Sequence, residues 1–152
     1  MRLEIRRADP KEADTLTEIA HAAKRHWNYP ESWIQRWQAD LTITREFITT
    51  HEVFAATIHG EIVGCCALVV TDSLAEIEHM WIRPEQMGSG VGRALFKHAR
   101  ARAIDRGANV LELSADPYAE GFYARMGAKR IGEIPANMDG RPRVLPRMRM
   151  KL

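Results

Sequence analysis

The chain has 152 residues, of which 45% are hydrophobic and 28% charged. This composition excludes disordered, collagen-like and coiled-coil classes, and the length predicts one domain spanning residues 1–152. The net charge of +2 is too small to indicate nucleic-acid binding. The charge is uneven, because residues 1–76 carry 8 basic and 12 acidic side chains and residues 77–152 carry 14 and 8. A basic second half suits an anionic ligand, and a solvated basic surface explains it equally well.

The two cysteines, Cys65 and Cys66, are adjacent, so in a strand their side chains point to opposite faces and do not form a mutual disulfide. No cysteine–histidine spacing typical of a zinc site is present. Residues 1–10 lack the apolar run of a secretion signal, and the longest apolar stretch, residues 62–70, falls well short of the roughly 20 residues that cross a bilayer. We therefore expect a reduced cytoplasmic protein with no membrane partner and no metal.

The first part of the chain is predicted to begin with a short strand and to continue in helices. Asp9-Pro10 is typical of a helix start, because aspartate caps the first turn and proline fits its first position. Tyr29-Pro30 interrupts the helical pattern and separates two helices. The predicted elements are a strand over residues 3–8, helices over 9–26 and 31–41, and a short helical piece over 44–50.

The rest of the chain is predicted to form strands that come in a run and then alternate with helices. His59-Gly60 predicts a tight turn that joins two strands into a hairpin, and Gly107 ends a long helix. The predicted elements are strands over residues 53–58, 61–71, 75–82, 109–114, 128–134 and 143–151, and helices over 90–106 and 117–126. This order predicts an α/β fold, either α+β or a mixed sheet with helices on both faces.

A glycine-rich turn, Gly88-Ser89-Gly90-Val91-Gly92, lies between a predicted strand and a predicted helix. Glycine lets the backbone approach a ligand, and a helix start offers unpaired N–H groups, so this turn predicts an anion site. A phosphate-binding P-loop would require GK[ST], whereas Arg93-Ala94 follows Gly92. A dinucleotide-binding turn would require a sixth-position glycine, which is Arg93 here.

A second segment accompanies this turn. About thirty residues after the sequence PEQMGSGVGRAL of residues 84–95 come Ala119-Glu120-Gly121-Phe122-Tyr123 and Gly127-Ala128. This arrangement resembles the GNAT superfamily of N-acetyltransferases, which use acetyl-coenzyme A (acetyl-CoA). The resemblance covers about residues 53–135. It implies a central mixed sheet that is flanked by helices and splayed between its fourth and fifth strands.

The resemblance also implies a cofactor-binding site. The glycine turn is similar to the family's pyrophosphate loop, Q/R-x-x-G-x-G/A, with Met87 in place of the usual glutamine or arginine. Residues 116–128 resemble the segment N-x-x-A-x-x-F-Y-x-x-x-G-F, with Asp116 for asparagine and Ala128 for the last phenylalanine. The main chain at Ile82 is expected to pair with the pantetheine arm as an added strand does. The implied contacts to acetyl-CoA are Met80, Trp81, Ile82, Met87, Gly88, Ser89, Gly90, Val91, Gly92, Arg93, Asp116 and Tyr123.

Acetyl transfer to an amine requires a base, because amines are mostly protonated near neutral pH. The resemblance implies Tyr123 as the general acid for the departing thiolate and the Met80 amide as the donor to the thioester carbonyl. Glu76 and Glu78 share the strand face that leads to Met80, and we favour Glu78 as base because it is nearer. Burial there would raise the pKa of its carboxyl group, whereas a solvated carboxylate is the alternative. His79, on the opposite face, is expected to be a packed or hydrogen-bonded core residue.

An aromatic set occupies the region where the family places its variable acceptor wall. Its members are His26, Trp27, Tyr29, Trp33 and Trp37. They could line an acceptor pocket or bind an amine through cation–π contacts. Packing between helices is the favoured interpretation for Trp33 and Trp37.

The C-terminal segment is basic. Its members are Arg141, Arg143, Arg147, Arg149 and Lys151, and in an alternating strand the last four project to one face. They could attract an acidic acceptor, a nucleic acid or a partner subunit. We favour a solvated edge strand, in which charge also blocks aggregation.

These observations predict an N-acetyltransferase that moves the acetyl group of acetyl-CoA directly to a primary amine of a small molecule or protein in a ternary complex. The alternatives are a non-catalytic acetyl-CoA sensor or interaction domain, and an acyltransferase that uses a different acyl-CoA. A DNA-binding module is disfavoured because no reading helix is recognisable. The sequence does not identify the amine acceptor and leaves a homodimer open.

Overall fold

The computed structural model describes residues 2–152, which contain seven strands and six α-helices. The seven predicted strands are all confirmed, and no strand end shifts by more than one residue. In chain order, the strands and helices are β1 (Leu3–Arg7), α1 (Ala13–His26), α2 (Glu31–Arg36), α3 (Gln38–Leu41), α4 (Arg45–Thr50), β2 (Glu52–Ile58), β3 (Glu61–Thr71), β4 (Leu74–Ile82), α5 (Val91–Asp105), β5 (Val110–Ser114), α6 (Glu120–Arg125), β6 (Lys129–Pro135) and β7 (Val144–Lys151). Short 3₁₀ turns precede α1, α5 and α6 at Pro10–Glu12, Pro84–Gln86 and Pro117–Ala119.

The strands form one mixed sheet in the order β1-β2-β3-β4-β5-β7-β6. The pairs β1–β2, β2–β3, β5–β7 and β6–β7 are antiparallel, and β4 pairs with β5 in parallel. The parallel ladder joins residues 74–76 to residues 110–112, although β4 continues to Ile82. The predicted splay between the fourth and fifth strands stays a prediction. The mixed sheet flanked by helices confirms the predicted fold class.

Local sequence signals place several of the turns. His59 (φ +52°) and Gly60 (φ +80°) both have positive φ between β2 and β3, as the twist of a tight hairpin requires. The side chain of Asp9 accepts from the Lys11 N–H and that of Glu12 accepts from the Asp9 N–H, each at 2.8 Å, which completes a capping box before α1. These turns form as predicted because their residues act within the turn itself.

The chain divides into two compact units. The first unit runs to Leu68 and includes His79–Ala99. Its core has one cluster around Leu16, Ile43 and Val53 and a second around Ala20, Ile34 and Leu41, all buried. The second unit comprises Val69–Glu78 and Arg100–Leu152, with Leu111, Leu113 and Met148 buried in the sheet. The organisation as a single domain stays a prediction.

The predicted helix over residues 31–41 is wrong in one respect. The backbone of Trp37 (φ −86°, ψ 3°) interrupts it, so α2 and α3 are separate short helices. A four-residue helix such as α3 is held by its packing, since isolated helices of this length are unstable. Its buried residue is Leu41, which packs with Ile34.

The interpretation of the basic C-terminal segment as a solvated edge strand is also wrong. β7 lies between β5 and β6, and β6, exposed along its whole length, is the edge. Glu112 of β5 determines this placement, because its side chain is only 11% exposed and needs cations. Arg149 donates to Glu112 Oε2 from Nε at 2.7 Å, and Arg147 Nη2 donates to Oε1 at 2.8 Å.

We predict that Gly64→Ala destabilises the first unit. A Cβ on Gly64 would lie 3.0 Å from the Trp81 carbonyl oxygen, 3.0 Å from Ile82 Cδ1 and 3.2 Å from Val91 Cγ1, so β4 would have to shift. The free energy of unfolding should fall by about 1–3 kcal/mol in urea denaturation. Gly132→Ala is the matched control, because a Cβ there meets no atom within 4 Å. Equal effects of the two substitutions would contradict the prediction.

We predict that Glu112 stabilises the fold at neutral pH and not in acid. Hydrogen bonds from Arg149 and then Arg147 hold the pKa of Glu112 below its ordinary value. Because the folded pKa is the lower one, this stabilisation is present at pH 7 and is lost as the pH falls below about 4. Glu112→Gln should therefore lower the thermal midpoint of unfolding at pH 7. In acid, the difference in thermal midpoint between the variant and wild type should be smaller. Glu133→Gln, in the exposed pair with Arg130, should change the midpoint little.

Candidate active site

The glycine turn before α5 has the geometry of an anion-binding loop. Gly88 (φ +79°) and Gly90 (φ +94°) adopt left-handed conformations that favour glycine, and a Cβ on either would meet no atom within 4 Å. The Ser89 N–H donates to the Gln86 carbonyl at 3.3 Å inside the turn. The first N–H groups of α5 have no acceptor within the helix, by α-helical geometry. The binding of an anionic ligand at this turn stays a prediction.

Two side chains flank this loop. Met87 is half-buried and its N–H donates to the Pro84 carbonyl at 3.2 Å, so its main chain closes the preceding turn. Arg93 lies in the first turn of the 15-residue helix α5, where it is exposed and has no ion pair among residues 2–152. Its guanidinium is therefore available to a phosphate at the positive end of the helix dipole. The predicted contacts of both residues to acetyl-CoA stay predictions.

β4 carries Met80, Trp81 and Ile82, each partly exposed. The Arg83 N–H donates to the Val63 carbonyl at 2.8 Å and the Arg83 Nη1 donates to Glu18 at 2.7 Å, which fixes the end of the strand. The close approach of Gly64 to Trp81 and Ile82 fixes the strand from the side. The strand is thus held firmly where the Met80 amide is predicted to act.

His79 is a packed, hydrogen-bonded residue, as the sequence interpretation expected. Trp81 Nε1 donates to His79 Nδ1 at 2.9 Å, and the Phe47 ring stands edge-on to the imidazole at 5.7 Å. Burial lowers the pKa of His79 to about 4, so it is neutral at pH 7 with its proton on Nε2. The sequence interpretation did not name Trp81 as the hydrogen-bond partner of His79. The signal for it was the alternation of β4, which places both residues on one face of the strand.

The two candidate bases on β4 differ in their surroundings. Glu76 Oε2 forms an ion pair with Arg147 Nη2 at 3.3 Å. Glu78 is exposed and has no ion-pair partner within the described chain. Of the two surroundings that the sequence left open for Glu78, buried or solvated, the structure has the solvated one, and its assignment as base depends on position and availability alone.

Tyr123 lies on α6, in the second unit, and is 6% exposed. Its ring packs edge-on against Phe122, with centroids 5.0 Å apart. Its carbonyl accepts the Ala128 N–H at 3.0 Å, in the turn where Gly127 has φ +105°. The helix therefore ends at a fixed place and holds the tyrosine rigidly.

Asp116 caps the turn that leads into α6. Its Oδ1 accepts the Tyr118 N–H at 2.9 Å, and its Oδ2 pairs with Arg143 Nη2 at 3.4 Å. The two side chains are 13% and 11% exposed. These contacts give the carboxylate a structural function at the position where the family pattern has asparagine. Its contact to acetyl-CoA stays a prediction.

The aromatic set on the helical segment packs against itself. The Tyr29, Trp33 and Trp37 ring centroids lie 5.0–5.9 Å apart. The buried Lys24 places Nζ 4.4 Å from the Trp37 ring centroid and 5.1 Å from that of Tyr29. The cation on these rings is thus the chain's own lysine, which supports packing as the function of Trp33 and Trp37.

The remaining candidates behave as buried packing residues. Cys65 and Cys66 are free and buried, and burial raises the pKa of Cys65 to about 12 and that of Cys66 further.

Residues 2–152 contain no group of three or more His, Cys, Asp or Glu placed to hold a metal ion. Their helices include none with the length and hydropathy of a membrane span.

Comparison with known proteins identifies the family. The model of the acetyltransferase (GNAT) family matches residues 14–128. The GCN5-related N-acetyltransferase of Rhodopseudomonas palustris is 21% identical, with a TM-score of 0.82 over 100% of this chain and 97% of that one. The PaiA N-acetyltransferase of Thermoplasma acidophilum, solved in complex with coenzyme A, is 20% identical, with a TM-score of 0.80 over the whole of both chains.

A third solved structure, YncA of Salmonella typhimurium with its cofactor acetyl-CoA, is 20% identical, with a TM-score of 0.71 over 99% of this chain and 94% of that one. At these identities the likeness shows a shared fold. The family model covers most of the chain, including the glycine turn, both candidate bases and Tyr123. The chain therefore belongs to the GNAT family of acetyltransferases.

Proposed function

We propose that this protein is an N-acetyltransferase that moves the acetyl group of acetyl-CoA directly to a primary amine of a small molecule or protein. The observation that carries the proposal is the loop of two left-handed glycines at the start of α5, in a chain of the GNAT family. Such a loop offers convergent N–H donors to a diphosphate, which coenzyme A possesses.

Coenzyme binding is assigned to two groups of residues. The loop from Met87 to Gly92 would hold the diphosphate through its main chain, and Arg93 would add a cation at the same helix end. The main chain at Ile82 would hydrogen-bond to the pantetheine arm in the manner of an added strand, and the Met80 amide would contact the thioester carbonyl. The unpaired state of Arg93 and the shortness of the β4–β5 ladder support these assignments.

The bound cosubstrate supplies a thioester, whose acetyl carbonyl is the electrophile. Glu78 accepts a proton from the acceptor ammonium, directly or through water, and so makes the amine nucleophilic. The Met80 N–H donates to the carbonyl oxygen as negative charge develops there. As the C–N bond forms and the C–S bond breaks, the Tyr123 hydroxyl gives its proton to the departing sulfur. The new amide nitrogen then loses its second proton through water, which restores the Tyr123 hydroxyl.

The first test is calorimetric titration of the protein with acetyl-CoA and with free coenzyme A at two salt concentrations. Binding of both ligands that weakens with salt is expected, because the diphosphate is held by charge and by N–H donors. Turnover is then measured as thiol release with ethylamine, spermidine, alanylalanine amide and Nα-acetyl-lysine amide. Binding without turnover would favour the sensor alternative, and no binding would refute the proposal.

We predict that Gly90→Ala weakens acetyl-CoA binding by about tenfold, because an alanine at φ +94° is strained by about 1–2 kcal/mol and the loop would relax. Gly140→Ala is the matched control, since Gly140 also has positive φ (+74°) and an equally open Cβ position. It should lower stability without changing the dissociation constant. Equal affinities of Gly90→Ala and wild type would contradict the assignment of the loop.

We predict that Tyr123→Phe lowers kcat by about 10²–10⁴-fold, the usual contribution of a general acid, and leaves the KM for acetyl-CoA within about twofold. Phenylalanine keeps the ring that packs against Phe122, so the fold should be preserved. Tyr118→Phe is the control, because Tyr118 is 60% exposed and precedes α6 in the same segment. Unchanged turnover in Tyr123→Phe would remove the residue from the mechanism.

A further inference from the structure

One face of β4, β5 and β7 carries a connected set of charged side chains within the second unit. Register places Glu76 beside Glu112, and Glu112 beside Arg149, in one row across the three strands. Ser114 and Arg147 form the next row. The five side chains are linked by hydrogen bonds and ion pairs of 2.6–3.3 Å.

Arg147 is the centre of this set. Its Nη2 lies 2.8 Å from Glu112 Oε1 and 3.3 Å from Glu76 Oε2, and its Nη1 donates to Ser114 Oγ at 3.1 Å. Arg149 contacts Glu112 alone among the acidic residues described. The buried Glu112 carboxylate anchors both arginines, and Arg147 alone extends the network to β4.

The network gives the two glutamates of β4, Glu76 and Glu78, different surroundings. They are two residues apart in a strand and so share a face. Glu76 is engaged by the Arg147 guanidinium at 3.3 Å, so its carboxylate is already paired with a cation. Glu78 is solvent-exposed and has no ion pair within residues 2–152, so its carboxylate is open to an acceptor ammonium.

We propose that Arg147 is a positioning residue that decides which carboxylate acts as the base. It holds Glu76 in an ion pair and thereby leaves Glu78 as the proton acceptor on this face of β4. The inference rests on the proposed acetyl transfer, in which Glu78 receives the proton of the acceptor ammonium. In this proposal Arg147 acts through Glu76 alone.

The test is a rescue experiment with acetyl-CoA and ethylamine, followed by thiol release. Glu78→Gln should lower kcat/KM by about 10²-fold. Adding Arg147→Gln should raise the activity of Glu78→Gln by about tenfold, because the released Glu76 can accept the proton through water. Adding Glu76→Gln as a third substitution should abolish that gain.

Arg149→Gln is the matched control. It also removes an arginine from Glu112 but leaves the pair of Arg147 with Glu76 intact. Combined with Glu78→Gln it should restore no activity. Three results for the activity of the Glu78→Gln background would each overturn the inference. They are a gain with Arg149→Gln equal to that with Arg147→Gln, a gain that survives Glu76→Gln, and no gain at all.

Folding and the parent proposal are checked separately. Arg147→Gln could unfold the protein because Glu112 loses a partner. In that case Glu112→Gln is added to the Arg147→Gln variants and to the Arg149→Gln control, since a neutral side chain at position 112 no longer needs the second arginine. Circular dichroism and the thermal midpoint establish the folded state of each variant. A folded wild type without thiol release would defeat the acetyl-transfer proposal itself, whereas an active wild type without rescue defeats only the function given to Arg147.

Discussion

The buried carboxylate of Glu112 and its two arginines constrain the second unit of this protein. A desolvated carboxylate is stable only with cations beside it, and both of them come from β7. β7, which supplies both, lies next to β5, and β6 is the exposed edge at this end of the sheet. Because Arg147 also reaches Glu76, the same interaction connects β7 to β4 at the point where the parallel ladder ends.

A second buried pair acts in the same way at the start of α6. Asp116 stands where the family pattern has a neutral asparagine, so the chain has to compensate an additional negative charge. Arg143, just before β7, supplies the compensation, and the carboxylate still caps the turn before the helix of Tyr123. Three basic residues of the C-terminal segment, Arg143, Arg147 and Arg149, thus pair with the acidic residues of β5 and its following turn. The sequence interpretation missed this, since it treated those arginines as a solvated surface.

Much of the candidate site follows from sequence because its geometry is local. The left-handed conformations of Gly88 and Gly90 are a property of glycine, and the helix start behind them follows from the chain itself. The alternation of β4 likewise separates His79 from Glu78 onto opposite faces. The exposure of Glu78 did not follow, because burial depends on which elements pack over a strand, and alternation carries no information about that.

By itself, the sequence determined the seven strands, the hairpin at His59-Gly60, the capped start of α1 and the family to which the chain belongs. These depend on backbone preferences and short-range hydrogen bonds, which the residues carry with them. Only the tertiary structure decided that β7 is an interior strand, that Lys24 covers the Trp37 ring and that Arg147 engages Glu76 and not Glu78. Those outcomes join residues far apart in the chain, and their energies come from desolvation and charge pairing, which exist only once the strands and helices have packed.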